Sequence, residues 1–362
     1  MPPTLVATVR CSLCLCVATL LAASLEAQVP RIKITHIPVY GSYENLRGRV
    51  FSADPAAHHV ASYLFLEGLG WYVKPTAAAP CTPIGADGQF EVDVTTGGVD
   101  ELAHRYAVFL LPLGEPCPVV GGAEYLPPEL YQWPSAFVER TPFMLQFSGY
   151  SWVRRNSPYF GGPGSNCFSP DHAFVENRQL HLLLASVPSL GFCGGEIWLA
   201  KSLGYGRYRI LTIGRVDVLD PVTVSGMFTW DPDARPAHRE MDIELSRWCA
   251  PDDPNNAQVV VAPFDQPGHR VRFPINLTDD STELTFLMDW EPGIVTFSVY
   301  RGHHFGDPPP DRLIFQHVFT DGVPAPGKER FRFNLWRACP LSQSQEVVVT
   351  HFSGPPPRQP RF

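Results

Sequence analysis

From residue 31 to residue 118 the hydrophobic positions come in short alternating or β-branched runs. Examples are Arg31-Ile32-Lys33-Ile34-Thr35, Tyr63-Leu64-Phe65-Leu66 and Gln89-Phe90-Glu91-Val92-Asp93-Val94, cut apart by Gly, Pro and Asp. Period-2 alternation marks a strand with one buried face, and about seven such runs in roughly 100 residues predict a small immunoglobulin-like sandwich. From 143 to 353 the runs are longer and more aromatic: 180–185, 205–213, 222–230, 240–248, 258–262, 284–290, 295–301, 313–319, 331–336 and 347–352. Ten or more strands with no helical periodicity between them predict a two-sheet sandwich or jelly roll, with one sheet face free to form a cleft. The stretch 121–142 carries Pro127, Pro128, Pro134 and Pro142 and reads as a linker lying over the second domain.

The ends read differently. Cys11-Ser12-Leu13-Cys14-Leu15-Cys16-Val17-Ala18 and the apolar residues up to Ala23 form a run of about a dozen, too short to span a bilayer and suited to a signal-peptide core. Arg10 gives it a positive flank, and cleavage is expected near Ala27. The domain reading is therefore 1–27 signal peptide, 28–120 immunoglobulin-like accessory domain, 121–142 linker, 143–353 jelly roll and 354–362 flexible tail. No other segment reaches 18 uncharged apolar residues, so no membrane span is expected. The processed protein is expected to be secreted or periplasmic, and monomeric.

Cysteine usage agrees with export. Three of the nine cysteines, Cys11, Cys14 and Cys16, lie in the expected signal, leaving Cys81, Cys117, Cys167, Cys193, Cys249 and Cys339. An even set of six fits a disulfide framework, and none forms the C-x-x-C pair of a zinc ribbon or redox site. Cys81 with Cys117, and the other four paired within the second half, is one arrangement among several that spacing allows.

Composition narrows the class. With 38 Pro and 29 Gly in 362 residues, the chain must be built from short segments joined by turns. With 44% hydrophobic residues it has ample material for a core, and 18% charged residues is low for a helix-rich surface. The fold class is all-β. A net charge of -8 removes the basic footprint of a nucleic-acid binder.

Candidate chemistry concentrates on one run, Arg239-Glu240-Met241-Asp242-Ile243-Glu244-Leu245. Strand geometry puts Glu240, Asp242 and Glu244 on one face, looking outward, and Met241, Ile243 and Leu245 on the packed face. Acids are depleted in strands and like charges in a row repel, so local stability does not select this pattern. Retaining hydrolysis of a glycosidic bond uses two carboxyls roughly 5–5.5 Å apart, one to attack the anomeric carbon and one to protonate the leaving oxygen. Residues i and i+4 on a strand lie roughly 13 Å apart at Cα, a gap that strand twist and long glutamate side chains must close. An acid between them can hydrogen-bond the nucleophile, while the nucleophile's charge raises the pKa of the acid/base group.

At this point the sequence resembles glycoside hydrolase family 16, whose members carry Glu-x-Asp-x-Glu on a strand of a concanavalin-like jelly roll. The likeness extends over Gly162-Pro163-Gly164 with Asn166, Cys193-Gly194-Gly195-Glu196-Ile197, Gly204-Tyr205-Gly206-Arg207-Tyr208 and Gly226-Met227-Phe228-Thr229-Trp230 ahead of the acids. Behind them it continues in Asp289-Trp290-Glu291-Pro292-Gly293-Ile294, Pro326-Gly327-Lys328 and Asn334-Leu335-Trp336, so that it covers roughly half the chain. The resemblance implies Glu240 as nucleophile, Asp242 as its assistant and Glu244 as general acid/base. It implies Glu196 as a cleft residue bonding sugar hydroxyls, and Trp336, following Asn334, as an aromatic stacking on a pyranose ring. Trp230 and Tyr205 are weaker stacking candidates, and Trp290 reads as core. The unbulged acid spacing looks closer to licheninases and the xyloglucan-active branch than to laminarinases. The chain departs from licheninases at Trp198, His238 and Val260, where they carry an arginine, an aromatic and a polar cleft residue. Some relatives hold a structural calcium, for which no ligand set is readable here, and no cofactor is expected.

His58-His59 and His303-His304 lack acids at ligand spacing, Ser151, Ser225 and Ser246 lack a nucleophile elbow, and no phosphate loop or dinucleotide fingerprint occurs. Asn276-Leu277-Thr278 is a glycosylation sequon only in a host that modifies exported proteins. The leading expectation is a secreted retaining endo-β-glycosidase acting on a β-glucan-type polysaccharide. A weakly catalytic or non-catalytic polysaccharide-binding lectin and a glucan transglycosylase are the alternatives.

Overall fold

A computed structural model of the chain describes residues 29–140, 143–278 and 280–356. The expected signal peptide lies outside them. The described residues contain no α-helix, only 27 strands and six 3-10 turns, so no helix is long and apolar enough to cross a membrane. The chain is all-β, and its larger part is a two-sheet jelly roll.

The ten runs expected in the second half all fall on strands, because apolar residues at every second position have a sandwich interior to face. The front sheet has eight strands in the order Met144–Phe147, Tyr150–Arg154, Gly195–Leu199, Arg330–Arg337, Thr223–Trp230, Met241–Leu245, Ala257–Val261, Arg270–Phe273. The back sheet runs Ala173–Glu176, Gln179–Val187, Gln345–Ser353, Gly206–Ile213, Leu284–Glu291, Ile294–Arg301, Leu313–Phe319, with Gly191–Cys193 paired off this path to Gln179–Val187. Phe331, Phe333 and Leu335 point from the front sheet into the core, as do Met241, Ile243 and Leu245, and meet Ile210, Phe286 and Phe352 of the back sheet. Trp290 is in this core too, its Nε1 donating to the carbonyl of Pro324 at 3.0 Å. The acid strand stops at Leu245, short of the expected 248, because Trp248 and Cys249 adopt left-handed backbone (φ 53° and 68°) that no strand continues.

The N-terminal unit is built from a three-stranded sheet, Arg31–His36, Leu46–Phe51 and Gln89–Val92, facing a six-stranded one centred on His58–Leu66 and Arg105–Pro112. Both faces of the larger sheet are buried. Val60, Leu64 and Val108 pack between the sheets, while Tyr63, Trp71 and Phe109 pack on the other side. That second face needs a cover, and the 121–142 segment supplies it through Leu126, Leu130 and Trp133. The segment expected as a linker over the second domain also adds Gly121–Ala123 and Ser135–Glu139 to the edges of the N-terminal sheet.

Three disulfides join Cys81 to Cys117, Cys167 to Cys193 and Cys249 to Cys339, one in the N-terminal unit and two in the jelly roll. At the other end Gly354 is fixed by the Tyr150 hydroxyl, which accepts from its N–H at 3.1 Å. The remainder of the expected tail, 357–362, lies outside the described residues.

Candidate active site

The front sheet's outer face carries a cavity of about 380 Å3 whose floor crosses four strands. Glu196 comes from Gly195–Leu199, Arg332, Asn334 and Trp336 from Arg330–Arg337, Gly226, Phe228 and Trp230 from Thr223–Trp230, and Asp242 and Glu244 from Met241–Leu245. Each is an alternate residue of its strand, the partner set to the core residues above. Glu240 enters one position before the acid strand. The three acids therefore share one face as expected, but that face looks into a walled cavity and not to open solvent.

Cross-strand register sets their neighbours. Asp242 sits opposite Phe228 on one side and Val260 on the other, while Glu244 sits between Gly226 and Gln258. Gly226 is required there: a Cβ would come within 2.5 Å of Asn334 Oδ1, the oxygen that accepts the Gly226 N–H at 3.0 Å. Gln258 Nε2 donates to Glu244 Oε2 at 2.6 Å, so a polar partner for the last acid comes from two residues before Val260.

The acids hold protons well above the usual carboxylate range. Burial, reinforced by the charge of Glu244, pushes Glu240 up to about 8, against the pull of Arg332 and of its hydrogen bond with Asp242. Burial and the two flanking glutamates hold Asp242 well above its ordinary value. Burial lifts Glu244 less, to about 6, because the Gln258 amide and Arg270 favour its anion. Between these values the site contains one ionised and at least one protonated carboxyl, the inventory that retaining glycoside chemistry uses. In the free site the proton sits toward Glu240 and Asp242, whereas the roles implied by the resemblance put it on Glu244.

The remaining expected site residues divide. Trp336, Trp230 and Asn334 line the cavity. Trp336 meets Trp248 edge-on at 5.9 Å, and Trp230 stacks on His238 at 3.8 Å. Tyr205 does not line it; the ring packs against Trp290 at 5.0 Å, at the margin of the sandwich core. Glu196 reaches the floor, yet both its oxygens are occupied, Oε2 by Arg155 Nη1 at 2.8 Å and Oε1 by Arg332 Nη1 at 2.7 Å. Its carboxylate thus holds two guanidinium groups at the cavity floor, one on each oxygen.

What sequence reading missed is the share taken by the N-terminal unit. Phe65, Glu67, Leu69 and Glu124 line the same cavity. Glu67 Oε1 accepts from Arg332 at 3.1 Å, Glu124 Oε1 lies 2.6 Å from His238 Nε2, and the Tyr125 ring stacks on His238 at 5.4 Å. His238 and Arg239, both left-handed (φ 49° and 52°), lead directly into the triplet, so these contacts hold a constrained turn ahead of the acids. Further interdomain pairs join Arg105 to Asp233 at 2.8 Å and Arg330 to Glu139 at 2.7 Å.

Among the described residues, His59, Cys81 and Cys117 alone form a grouping with metal-ligand reach. Its two sulfurs are bonded to each other, which leaves no thiolate to offer.

No family model matches the chain, and no curated protein matches it. Solved structures similar to part of it include a β-1,3-1,4-glucanase (lichenase) from a mouse hindgut metagenome, 16% identical over 55% of this chain and 90% of that one, TM-score 0.41. The β-glucanase of Bacillus licheniformis is 17% identical over 58% and 94%, TM-score 0.43. An immunostimulatory antigen and pseudo β-1,3-glucanase of Mycobacterium tuberculosis is 16% identical over 58% and 90%, TM-score 0.38.

Proposed function

We propose that the chain is an exported retaining glycosidase acting on a β-glucan-type polysaccharide. The observation that carries this reading is the triplet itself: three carboxyls of shifted protonation on one face of one strand, inside a cavity with aromatic walls. In the first step the Glu240 carboxylate attacks the anomeric carbon, the C1–O bond breaks, and the leaving oxygen takes a proton from Glu244. In the second, Glu244 removes a proton from water, which attacks C1 and releases Glu240. On this route the free-site proton must first pass from the Glu240–Asp242 pair to Glu244. Trp336 and Trp230 offer flat apolar faces for the C–H face of a pyranose ring. Three disulfides fit an oxidising compartment.

Reducing-sugar release from barley β-glucan, lichenan, laminarin, xyloglucan and agarose tests the reading. Turnover on a glucan, lost in Glu240→Ala, is expected; binding without turnover on any of them favours the lectin alternative. Azide tests the roles. With Glu240→Ala on an activated β-glucoside it should yield the α-glycosyl azide, and with Glu244→Ala the β-azide, because the first variant lacks the nucleophile and the second only the proton acceptor.

A further inference from the structure

An endo-acting enzyme needs a groove open at both ends, and one end of this groove is covered. Val153 and Trp198 lie on the outer face of the front sheet, since Trp152, Ile197 and Leu199 take the core face. They are nevertheless only 2% and 5% exposed. The N-terminal unit covers them: the His104 ring lies 6.0 Å from the Trp198 ring, and Tyr40, Leu102 and Arg140 share with Val153 the lining of a small void of about 20 Å3. The cover touches the jelly roll directly at the groove's edge, although a cavity of about 230 Å3 remains in the seam between Glu67, His104 and Glu139 on one side and Trp198, Asp233 and Arg332 on the other. The carbonyl of Gly68 accepts from the Gly162 N–H at 3.2 Å, and a Cβ on Gly161 would come within 2.8 Å of that same oxygen. The residues beside Arg155 cross the seam: Asn156 Nδ2 donates to the Tyr40 hydroxyl at 2.8 Å and Ser157 Oγ to the Glu67 carbonyl at 3.4 Å, while Arg155 fixes the jelly-roll side by donating to Gly162 O at 2.6 Å and to Glu196 at 2.8 Å.

We infer that the N-terminal unit is a stopper across the groove, so that the site accepts the terminal segment of a polysaccharide chain and releases a short oligosaccharide of one dominant length. The inference rests on the glycosidase reading of the acid triplet. From the acid strand to Gly195–Leu199 there are three strand spacings, about 14 Å at about 4.8 Å each. That distance holds a few linked pyranose rings between the reacting bond and the wall. On the opposite flank the sheet continues through Ala257–Val261 and Arg270–Phe273, neither of which lines the cavity, and the rest of the polymer leaves over them.

Two measurements on the full chain test the stopper. In a digest of linear β-glucan, one short product should dominate from the earliest samples, and viscosity should fall late relative to reducing-end release. A ladder of lengths with immediate loss of viscosity overturns the stopper and leaves the glycosidase reading standing. The second needs no turnover. Glu240→Gln is titrated with a gluco-oligosaccharide long enough to cross the four strands, carrying a bulky fluorophore at its reducing or its non-reducing end. One labelled form should bind at least tenfold more weakly than the other; equal binding of the two overturns the stopper, and no binding of even the unlabelled oligosaccharide overturns both readings. Gly161→Val, which presses on the Gly68 carbonyl, and Leu69→Ala, which thins the wall, should each broaden the product lengths; unchanged lengths in both folded variants count against the wall.

Discussion

Glu67, in a turn of the N-terminal unit, accepts a hydrogen bond at 3.1 Å from Arg332, which rises from the floor of the cavity 265 residues later. Arg332 is also the charge that pulls Glu240 toward ionisation, and it shares Glu196 with Arg155. The two halves of the molecule are therefore joined through the electrostatics of the acid triplet and not merely through a covering surface. An accessory module spaced by a linker would leave Arg332 with one acid; here it has two.

Glu67→Gln is expected to cost about 3–5 kcal/mol in urea unfolding, the range for removing one member of a buried pair. Burial alone would raise the Glu67 pKa, but Arg332, then Arg155 and His104, bring it down to about 2. A depressed carboxyl pKa contributes stability above the unfolded value and loses it as pH falls through the folded one. The gap between wild type and Glu67→Gln should be full at pH 7 and shrink between about pH 4.5 and 2. A gap independent of pH would assign the loss to packing.

Activity should follow a bell. Below about pH 6 Glu244 becomes protonated and the site lacks an anion; above about 8 Glu240 loses its proton and the site moves toward all-anionic. The profile of kcat/KM against pH should therefore peak between these values, its two limbs belonging to the coupled triplet and not to single residues. Replacing Gln258 with Leu removes the amide that favours the Glu244 anion, so the acid limb should move to higher pH. An acid limb unmoved by Gln258→Leu would detach it from Glu244.

The same shifts tie stability to pH in the opposite sense from Glu67. Glu240 keeps its proton in the folded protein up to about 8 but loses it near 4.5 when unfolded. The native state thus binds more protons over that window, and stability falls as pH rises through it. Glu240→Gln, which cannot ionise, should melt higher than wild type at pH 8 and equally at pH 4. Calorimetric scans at the two pH values decide this, and a higher wild-type Tm at pH 8 would show that the glutamate is ionised in the fold.

The strands and the acid face were legible because both are local. A period of two in 239–245 tells which side chains share a face, and the sandwich behind it leaves only one way to bury Met241, Ile243 and Leu245. The surroundings of Glu196 and Tyr205 were not legible, for a nonlocal reason. An acid on a strand gives no sign that Arg155 and Arg332 face it, 41 and 136 residues away, and a tyrosine beside glycines gives none that Trp290 stands across the sheet. The prolines of 121–142 suggested a linker over the second domain and gave no sign that Gly121–Ala123 and Ser135–Glu139 would join the N-terminal sheet, or that Leu126 and Leu130 would cover it. Glu67 was invisible because its meaning depends on an arginine in the other half of the chain.

Trp336 separates substrate contact from scaffold. Its ring lines the cavity and meets Trp248 edge-on, in the turn beyond the acid strand that the Cys249–Cys339 disulfide fastens to the chain just after Trp336. Should a sugar face against this ring gain what an aromatic pair does, about 0.5–1.5 kcal/mol, losing the ring weakens binding about two- to twelvefold. Trp336→Ala is expected to raise KM by that factor with kcat little changed, and Trp336→Phe to recover most of it. Tyr205→Ala, which removes a ring packed on Trp290 away from the cavity, should lower Tm and leave KM alone. If Trp336→Ala instead lowered kcat at constant KM, the ring's role would be to hold Trp248 and the turn behind Glu244, and the stacking surface would have to be Trp230.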